Sequence, residues 1–380
     1  GRLHHAGEMR FEAGPGFADR EPVELTVDFV VGHDGIAQTL VWREAGSPAM
    51  EAGRVGRERW VDFTSGGTPL VGRLHLPDGP GPHPGIVLVH GSGEDPGSQW
   101  LYNGDFLVAH GFAVLAYDKR GTGRSGGDFT FDFNVLAHDA SAAVEFLRRQ
   151  AEVDGGRVGL SGYSQGGWVA PLAATLSPAS FVLVSYGMIE SPAEEAHLEM
   201  LRLLTDGGVG GDDLLRADSL VTAAVAVVAS EFEDGWEDFA SLKSRFSHAP
   251  WREHLRGTPV DRLMRYPRWL VRLIGRRELP PGLPWYYDSM DVLESLCVPM
   301  TWFLGTEDLS APNELTIPKL RALSRRRPVE LFLFEGTDHG GLVFVEEDGV
   351  RRYTGYHPDW FRTEVEAARR LLSDPPGRYR

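Results

Sequence analysis

Between the apolar run Arg157-Val158-Gly159-Leu160-Ser161 and the helix-forming run Trp168-Val169-Ala170-Pro171-Leu172-Ala173-Ala174 stands the pentapeptide Gly162-Tyr163-Ser164-Gln165-Gly166. A serine flanked by glycines at this spacing fits a strained strand-to-helix turn, because glycine removes the side chains that would collide where the backbone doubles back. Five letters prove little in a chain with 46 glycines. The flanks carry the argument: a short β-like run precedes the serine and a helix follows it. A helix that starts just after Ser164 also aims free N–H groups and the positive end of its dipole at the hydroxyl.

The rest of the chain supplies the frame for such a turn. From Pro84 onward short apolar runs alternate with amphipathic stretches: 85–90 then 100–110, 112–117 then 133–150, 157–161 then 165–176, and 181–185. Buried strands separated by helices imply parallel β-α-β units, a mostly parallel twisted sheet with helices on both faces. Ahead of this, runs 23–31 and 36–42 flank the turn Gly32-His33-Asp34-Gly35, and runs 59–63 and 70–76 flank a second glycine-rich turn. The second hairpin reads as the antiparallel start of the larger sheet. Residues 1–55 form a small β-rich accessory piece, 56–186 and 297–380 the two parts of the α/β core, and 187–296 a helical insertion without a convincing strand. An insertion at that point suits a lid over the carboxyl ends of the strands, where ligands bind in such sheets. The bland alternative is a set of peripheral helices whose tryptophans are simply their core. The strand pattern resumes at 299–304 and 329–334, and the chain closes with a helix near 360–372.

Composition removes several function classes. At 380 residues, 42% hydrophobic and 24% charged, the chain can bury one sizeable core plus an accessory unit. A net charge of −16 opposes sequence-independent nucleic-acid binding, which needs a basic surface. Its longest apolar stretch, 220–229, is too short to span a bilayer and reads as a helix packed in protein, so no membrane partner is expected. No secretory signal pattern is readable. The single cysteine, Cys297, rules out an intrachain disulfide and favours a reducing, cytoplasmic setting; it reads as a small buried hydrophobe beside the strand at 298–304.

A serine hydroxyl needs a base, and a histidine base needs an acid to hold its tautomer and stabilise its charge. Asp308, in Gly305-Thr306-Glu307-Asp308, follows the apolar strand at 300–304; His339, in Thr337-Asp338-His339-Gly340, follows the strand at 331–334. Both lie where loops leave the sheet edge that carries Ser164, and the chain order Ser164, Asp308, His339 is the one this kind of sheet uses. Glu307 and Asp338 are neighbouring carboxylates that compete for the acid role. Asp308 is preferred because it lies far enough past its strand to turn back, and Asp338 is too close in sequence to His339 to reach the far ring nitrogen. Of the 13 histidines, His4 and His5 lie in a terminal segment, while His110, His138, His197, His248 and His254 fall in helical stretches as surface or packing residues. No histidine group has trustworthy metal-ligand spacing. The oxyanion donors are expected from the backbone of Gln165 and of the loop His90-Gly91-Ser92-Gly93, with Ser92 the choice and Gly93 the reserve. His90 braces that loop.

Three stretches, VLVHGSG at 87–93, AYDKRGTGRSGG at 116–127 and GLSGYSQGGWVAP at 159–171, make the chain resemble the α/β-hydrolase superfamily from about Arg57 to its end, nearest the bacterial serine esterase and prolyl-oligopeptidase-like branch. The resemblance implies a serine–aspartate–histidine triad at Ser164, Asp308 and His339, an oxyanion loop at 90–93 and no cofactor. Two departures stand out. Tyr163 and Gln165 flank the serine where such esterases often carry histidine and glutamate, and the insertion is long and tryptophan-rich. The leader is far too short for the propeller that peptidases of the branch carry, which demotes peptidase activity.

The expected chemistry is hydrolysis of a small-molecule carboxylic ester through an acyl-enzyme, with thioesterase, lactonase, acyltransferase and carbon–carbon hydrolase activity open on the same triad. Trp236, Trp269 and Trp285 are expected to line an apolar acyl or alcohol pocket. Lys119 and Arg120 read as a hydrogen-bonded loop clamp in preference to substrate-carboxylate ligands. The N-terminal piece is left between a homodimer surface and a pocket wall. Two rival classes exist. A non-catalytic binding protein of the same fold would lack Ser164 reactivity. A nicotinamide-dependent oxidoreductase is suggested by Gly121-Thr122-Gly123-Arg124-Ser125-Gly126, but that fingerprint should open a helix near the start of a nucleotide domain, and here it follows a later strand and runs into Gly127-Asp128-Phe129-Thr130-Phe131-Asp132, which does not read as a helix start.

Overall fold

The computed structural model describes residues 3–14, 21–31, 33, 37–44, 46–53, 56–99, 101–347 and 350–373. Its first unit is an antiparallel sheet of β1 (His4–Gly7), β2 (Arg10–Ala13), β3 (Leu25–Val31), β4 (Ala37–Glu44) and β5 (Met50–Gly53) in sequential order. The hairpin expected at 23–42 is β3 on β4, with Val27 opposite Trp42 and Phe29 opposite Leu40; Gly32, Asp34 and Gly35 of its turn lie outside the described residues. Among the described residues of this sheet only Ala13 and Val27 are fully buried, so it has little core of its own.

The main sheet has eight strands: β6 (Arg57–Ser65), β7 (Thr68–Leu76), β8 (His83–Val89), β9 (Ala113–Tyr117), β10 (Val153–Tyr163), β11 (Val182–Ser185), β12 (Met300–Gly305) and β13 (Val329–Phe334). Their order is β13-β12-β11-β10-β8-β9-β7-β6. β8 to β13 pair in parallel, while the β6–β7 hairpin joins antiparallel through β7 on β9, as the second sequence hairpin suggested.

Alternation along the strands builds two cores. In β8, Val87 and Val89 face the helices α2 (Phe133–Arg148) and α3 (Gly166–Leu176). Ile86 and Leu88 face the opposite side, against α1 (Leu101–Ala109) and the C-terminal helix described below. Helix α2 follows the same logic: the Asp132 carboxylate accepts from the Asn134 and Val135 N–H groups at its start, and Phe133, Leu136, Ala137, Ala140, Val144 and Leu147 form one buried stripe.

Between β11 and β12 the chain is helical: α4 (Pro192–Asp206), α5 (Gly211–Ala229), α6 (Trp236–Arg245), a 3-10 segment at Pro250–Leu255, α7 (Pro259–Arg265), α8 (Arg268–Glu278) and α9 (Ser289–Ser295). Ser191 and Glu194 form a reciprocal cap with Pro192 in the first turn, which starts α4 sharply. Leu204, Leu220, Val221, Phe239, Trp251 and Leu263 close a core separate from those of the sheet. The apolar stretch at 220–229 is the second half of α5, which buries Leu220, Val221, Ala224 and Val227 on one face. No helix among the described residues is long and apolar enough to cross a membrane.

After β12 come α10 (Thr316–Leu323), β13, a small antiparallel sheet of β14 (Thr337–Asp338), β15 (Leu342–Glu347) and β16 (Val350–Tyr356), and the closing helix α11 (Trp360–Ser373). The β15–β16 hairpin was missed in the sequence, although Asp348-Gly349 between two β-branched and aromatic runs is a turn signal. Cys297 corrects another expectation. It is exposed in the turn from α9 to β12, because the strand begins at Met300 and the turn lies outside the sheet.

Candidate active site

β10 ends at Tyr163 and α3 begins at Gly166, leaving Ser164 on the turn with φ of 54°, a left-handed value costly for a residue with a side chain. The turn closes so tightly that a Cβ at Gly162 would fall 2.1 Å from the Gly166 carbonyl oxygen, and one at Gly166 would fall 2.3 Å from the Val89 carbonyl oxygen. The strained backbone is tied on both sides. Ser164 N–H donates to Ser185 O at 3.1 Å, and Gly167 N–H donates to Ser164 O at 2.7 Å. Beneath it the Ser161 and Tyr163 hydroxyls each donate to the buried Glu364 carboxyl of α11 at 2.9 Å. Burial raises the Glu364 pKa against the pull of these two donors.

Three side chains from separate loops meet on this turn. His339 Nε2 lies 3.1 Å from Ser164 Oγ, and His339 Nδ1 lies 2.9 Å from Asp308 Oδ2 and 3.1 Å from Oδ1. Asp308 is buried, and its Oδ1 also accepts from the Ser310 and Ala311 N–H groups, which fixes the carboxylate facing the imidazole. With Nδ1–H donating to Asp308, Nε2 is left to accept the Ser164 proton. Burial lowers the His339 pKa, but the hydrogen bond and charge of Asp308, with the charges of Glu195 and Asp338, outweigh it and leave it raised.

The two rival carboxylates separate cleanly. Glu307 is half in solvent, 3.8 Å from Arg351, and does not enter the chain of bonds. Asp338 is buried but serves another purpose: Oδ1 accepts from the Leu309 and His339 N–H groups at 3.0 and 2.7 Å, while Oδ2 accepts from Arg351 and Tyr353 of β16 at 2.7 and 2.9 Å. It thereby ties the loop bearing Asp308 to the loop bearing His339. These donors hold its carboxyl below the usual range despite burial.

Residues 91–93 pass close to the serine, since a Cβ at Gly91 would sit 3.4 Å from Ser164 Cβ. Ser92 and Gly93 are exposed and Gln165 is buried. Among the described residues, no acceptor holds the Ser92 or Gln165 backbone N–H. A cavity of about 290 Å³ opens here, bounded by Ser164, His339, residues 91–93, Tyr186, Leu342 and Tyr356. Tyr186, whose ring lies 4.8 Å from the His339 ring, and the hairpin residues Leu342 and Tyr356 were not anticipated, because the first is placed by the pairing of β11 with β10 and the others by how the hairpin folds back.

Lys119 and Arg120 clamp loops. Arg120 makes a two-pronged pair with the buried Asp139 of α2 at 2.7 and 2.5 Å. Lys119 is buried and donates to the carbonyls of Gly91 and Gly93 and to Gln165 Oε1. His90 is buried edge-on to Tyr117 at 5.3 Å; burial, then the Lys119 charge, pushes its pKa down to about 3, so its ring is neutral at ordinary pH and packs without a side-chain hydrogen bond to the loop it was expected to brace. Residues 121–126 form no helix start, since α2 begins only at Phe133. The loop is instead folded on Asp118, which accepts from Arg124 N–H at 2.9 Å and from Ser98 N–H at 3.0 Å. That is not the geometry of a dinucleotide fingerprint.

Two adjoining cavities of about 490 and 400 Å³ lie in the helical insertion and share Val228, Pro259, Leu263 and Trp285. Trp285 is the one of the three expected tryptophans that borders them. Trp236 instead donates its indole N–H to Phe232 O and packs beneath Arg268, and Trp269 is 67% exposed. A helical stripe of aromatics does not reveal which of them face a cavity and which face water. Sequence reading also passed over Glu195 on α4, whose carboxyl is pushed up to about 7 by burial and then by the Glu199 charge, with His339 opposing. Among the described residues, no group of three or more His, Cys, Asp or Glu side chains could hold a metal ion.

Known proteins resemble this chain in sequence and fold. A family model described as the alpha/beta hydrolase family matches residues 86–353. Esterase EstD of Thermotoga maritima is 26% identical over 289 residues, 73% of this chain and 59% of that protein, so the chain spans about three fifths of its length. Mitochondrial acyl-coenzyme A thioesterase 2 of Homo sapiens is 31% identical over 173 residues, 43% of this chain and 30% of the relative. A solved Pyrococcus furiosus esterase superposes with a TM-score of 0.50 at 17% identity, covering 84% of this chain and 92% of that one. With the parallel sheet, the strained serine turn and this match across most of its length, the chain belongs to the alpha/beta hydrolase family.

Proposed function

We propose that this protein is a serine hydrolase that cleaves a carboxylic ester through an acyl-enzyme. The observation that carries the reading is the continuous chain of hydrogen-bonding distances from Asp308 through His339 to Ser164, 2.9 and 3.1 Å long. In the first step His339 Nε2 takes the Ser164 proton as Oγ attacks the ester carbonyl carbon. The oxyanion is received by the N–H groups of Gln165 and Ser92, and Asp308 stabilises the imidazolium. His339 then protonates the departing alcohol. In the second step His339 takes a proton from water, hydroxide attacks the acyl carbon, and the acid leaves with Ser164 reprotonated. The helices α4 to α8 serve as a lid, and the cavities beside Trp285 receive the apolar part of the substrate.

Thioester cleavage is the second reading, favoured by the resemblance to acyl-coenzyme A thioesterases. It uses the same residues, with a thiol as leaving group. Labelling with a fluorophosphonate decides the class: an adduct on the wild type that disappears in Ser164→Ala supports it, and an adduct that persists there, or none on the wild type, refutes it. A matched panel of ester, thioester, lactone and amide substrates then separates the two readings.

A further inference from the structure

The loop that carries Ser92 and the turn that carries Gln165 come from different parts of the chain, yet one side chain joins them. Lys119 Nζ donates to Gly91 O at 2.7 Å, to Gly93 O at 3.4 Å and to Gln165 Oε1 at 3.2 Å. None of these acceptors is a carboxylate. The ammonium lies 5.2 and 5.6 Å from the ring centres of Phe129 and Phe131, whose π-faces attract a cation. A buried cation given three neutral acceptors and two aromatic faces is a costly way to brace a loop, and its placement suggests a more specific purpose.

That purpose follows from peptide geometry. The carbonyl of Gly91 and the N–H of Ser92 belong to one peptide unit, and in a trans peptide the two point in opposite directions. A cation bound to Gly91 O fixes that N–H pointing away from Lys119 and draws electron density toward the oxygen, which makes the N–H a stronger donor. The bond to Gln165 Oε1 anchors the residue whose backbone supplies the other donor. We infer that Lys119 is a positioning residue for both proposed oxyanion donors, orienting and polarising the Ser92 N–H and anchoring Gln165 through its side chain, from behind. The inference rests on the serine-hydrolase reading above. Lys119 does not touch substrate; it acts on the groups that do.

Burial holds the ammonium pKa down to about 8, against the charge of Glu94, which is consistent with a cation kept out of water. The test is Lys119→Met, which keeps the apolar stem of the side chain and removes the ammonium group. With a short-chain aryl ester, kcat should fall about ten- to a hundred-fold, the range for a displaced or weakened donor, with KM changed by less than about threefold. Affinity for a trifluoromethyl ketone, which forms an oxyanion on Ser164, should fall in parallel with kcat/KM. A brace with no such role would lower the melting temperature and leave both ratios alone.

Wild-type kcat and ketone affinity in a folded Lys119→Met protein would overturn the inference. Should that variant not fold, Gln165→Met cuts one of the three bonds and should lower kcat about tenfold without altering ester KM; an unchanged kcat overturns it equally. Failure of the underlying reading looks different, since the wild type would then form no fluorophosphonate adduct and turn over no ester, and the inference would fall with it.

Discussion

Arg351 of β16 reaches Asp338 at 2.7 Å and donates as well to the Glu307 carbonyl at 2.6 Å, so one guanidinium grips both loops that carry the acid and base of the proposed triad. Asp338 is buried and Arg351 largely so, which leaves the carboxylate short of a charged donor if the arginine is removed. Arg351→Met should therefore cost about 1.5–3 kcal/mol of stability in urea unfolding and lower kcat more than it raises KM. Equal stability of variant and wild type would show that the hairpin does not hold these loops.

Asp308 and Glu307 are adjacent in sequence and opposite in environment. Asp308→Asn should reduce kcat by about four orders of magnitude, since the amide favours the wrong imidazole tautomer. Glu307→Gln should leave kcat near that of the wild type. Steady-state kinetics on the two variants with one ester checks the pair, and reversed effects would reassign the acid.

The base must be neutral to accept the serine proton. Because the His339 pKa is raised above its ordinary 6.5, the imidazolium persists to higher pH, and kcat/KM should decline on the acid side from a midpoint above 6.5. The negative charge of Glu195 stabilises the imidazolium, so Glu195→Gln should move that midpoint down. The two groups titrate together, so the apparent values belong to the pair. A midpoint that does not move, or moves up, would remove Glu195 from the electrostatics of the site.

Trp285 borders both cavities of the insertion while Trp269 faces solvent. Trp285→Ala should change kcat/KM for a long-chain ester relative to acetate by about tenfold or more, and Trp269→Ala should leave that ratio unchanged. If neither substitution alters chain-length preference, the cavities do not receive the acyl group.

The strand–turn–helix around Ser164, the β-α alternation and the strand ends before Asp308 and His339 could be read from the chain because each depends on neighbours a few residues away. Period-two and period-3.6 burial and glycines at a tight turn are local consequences of backbone geometry. What came from folding is every relationship that needed the path of the chain: Asp338 joining two loops instead of serving His339, the hairpin that brings Leu342 and Tyr356 to the cavity, and Trp285 facing inward where Trp269 does not. Lys119 illustrates the division. Its place in a loop after a buried strand could be read in advance, but its reach to Gly91, 28 positions earlier, and to Gln165, 46 positions later, exists only because β8, β9 and β10 stand side by side and their loops leave the same edge of the sheet.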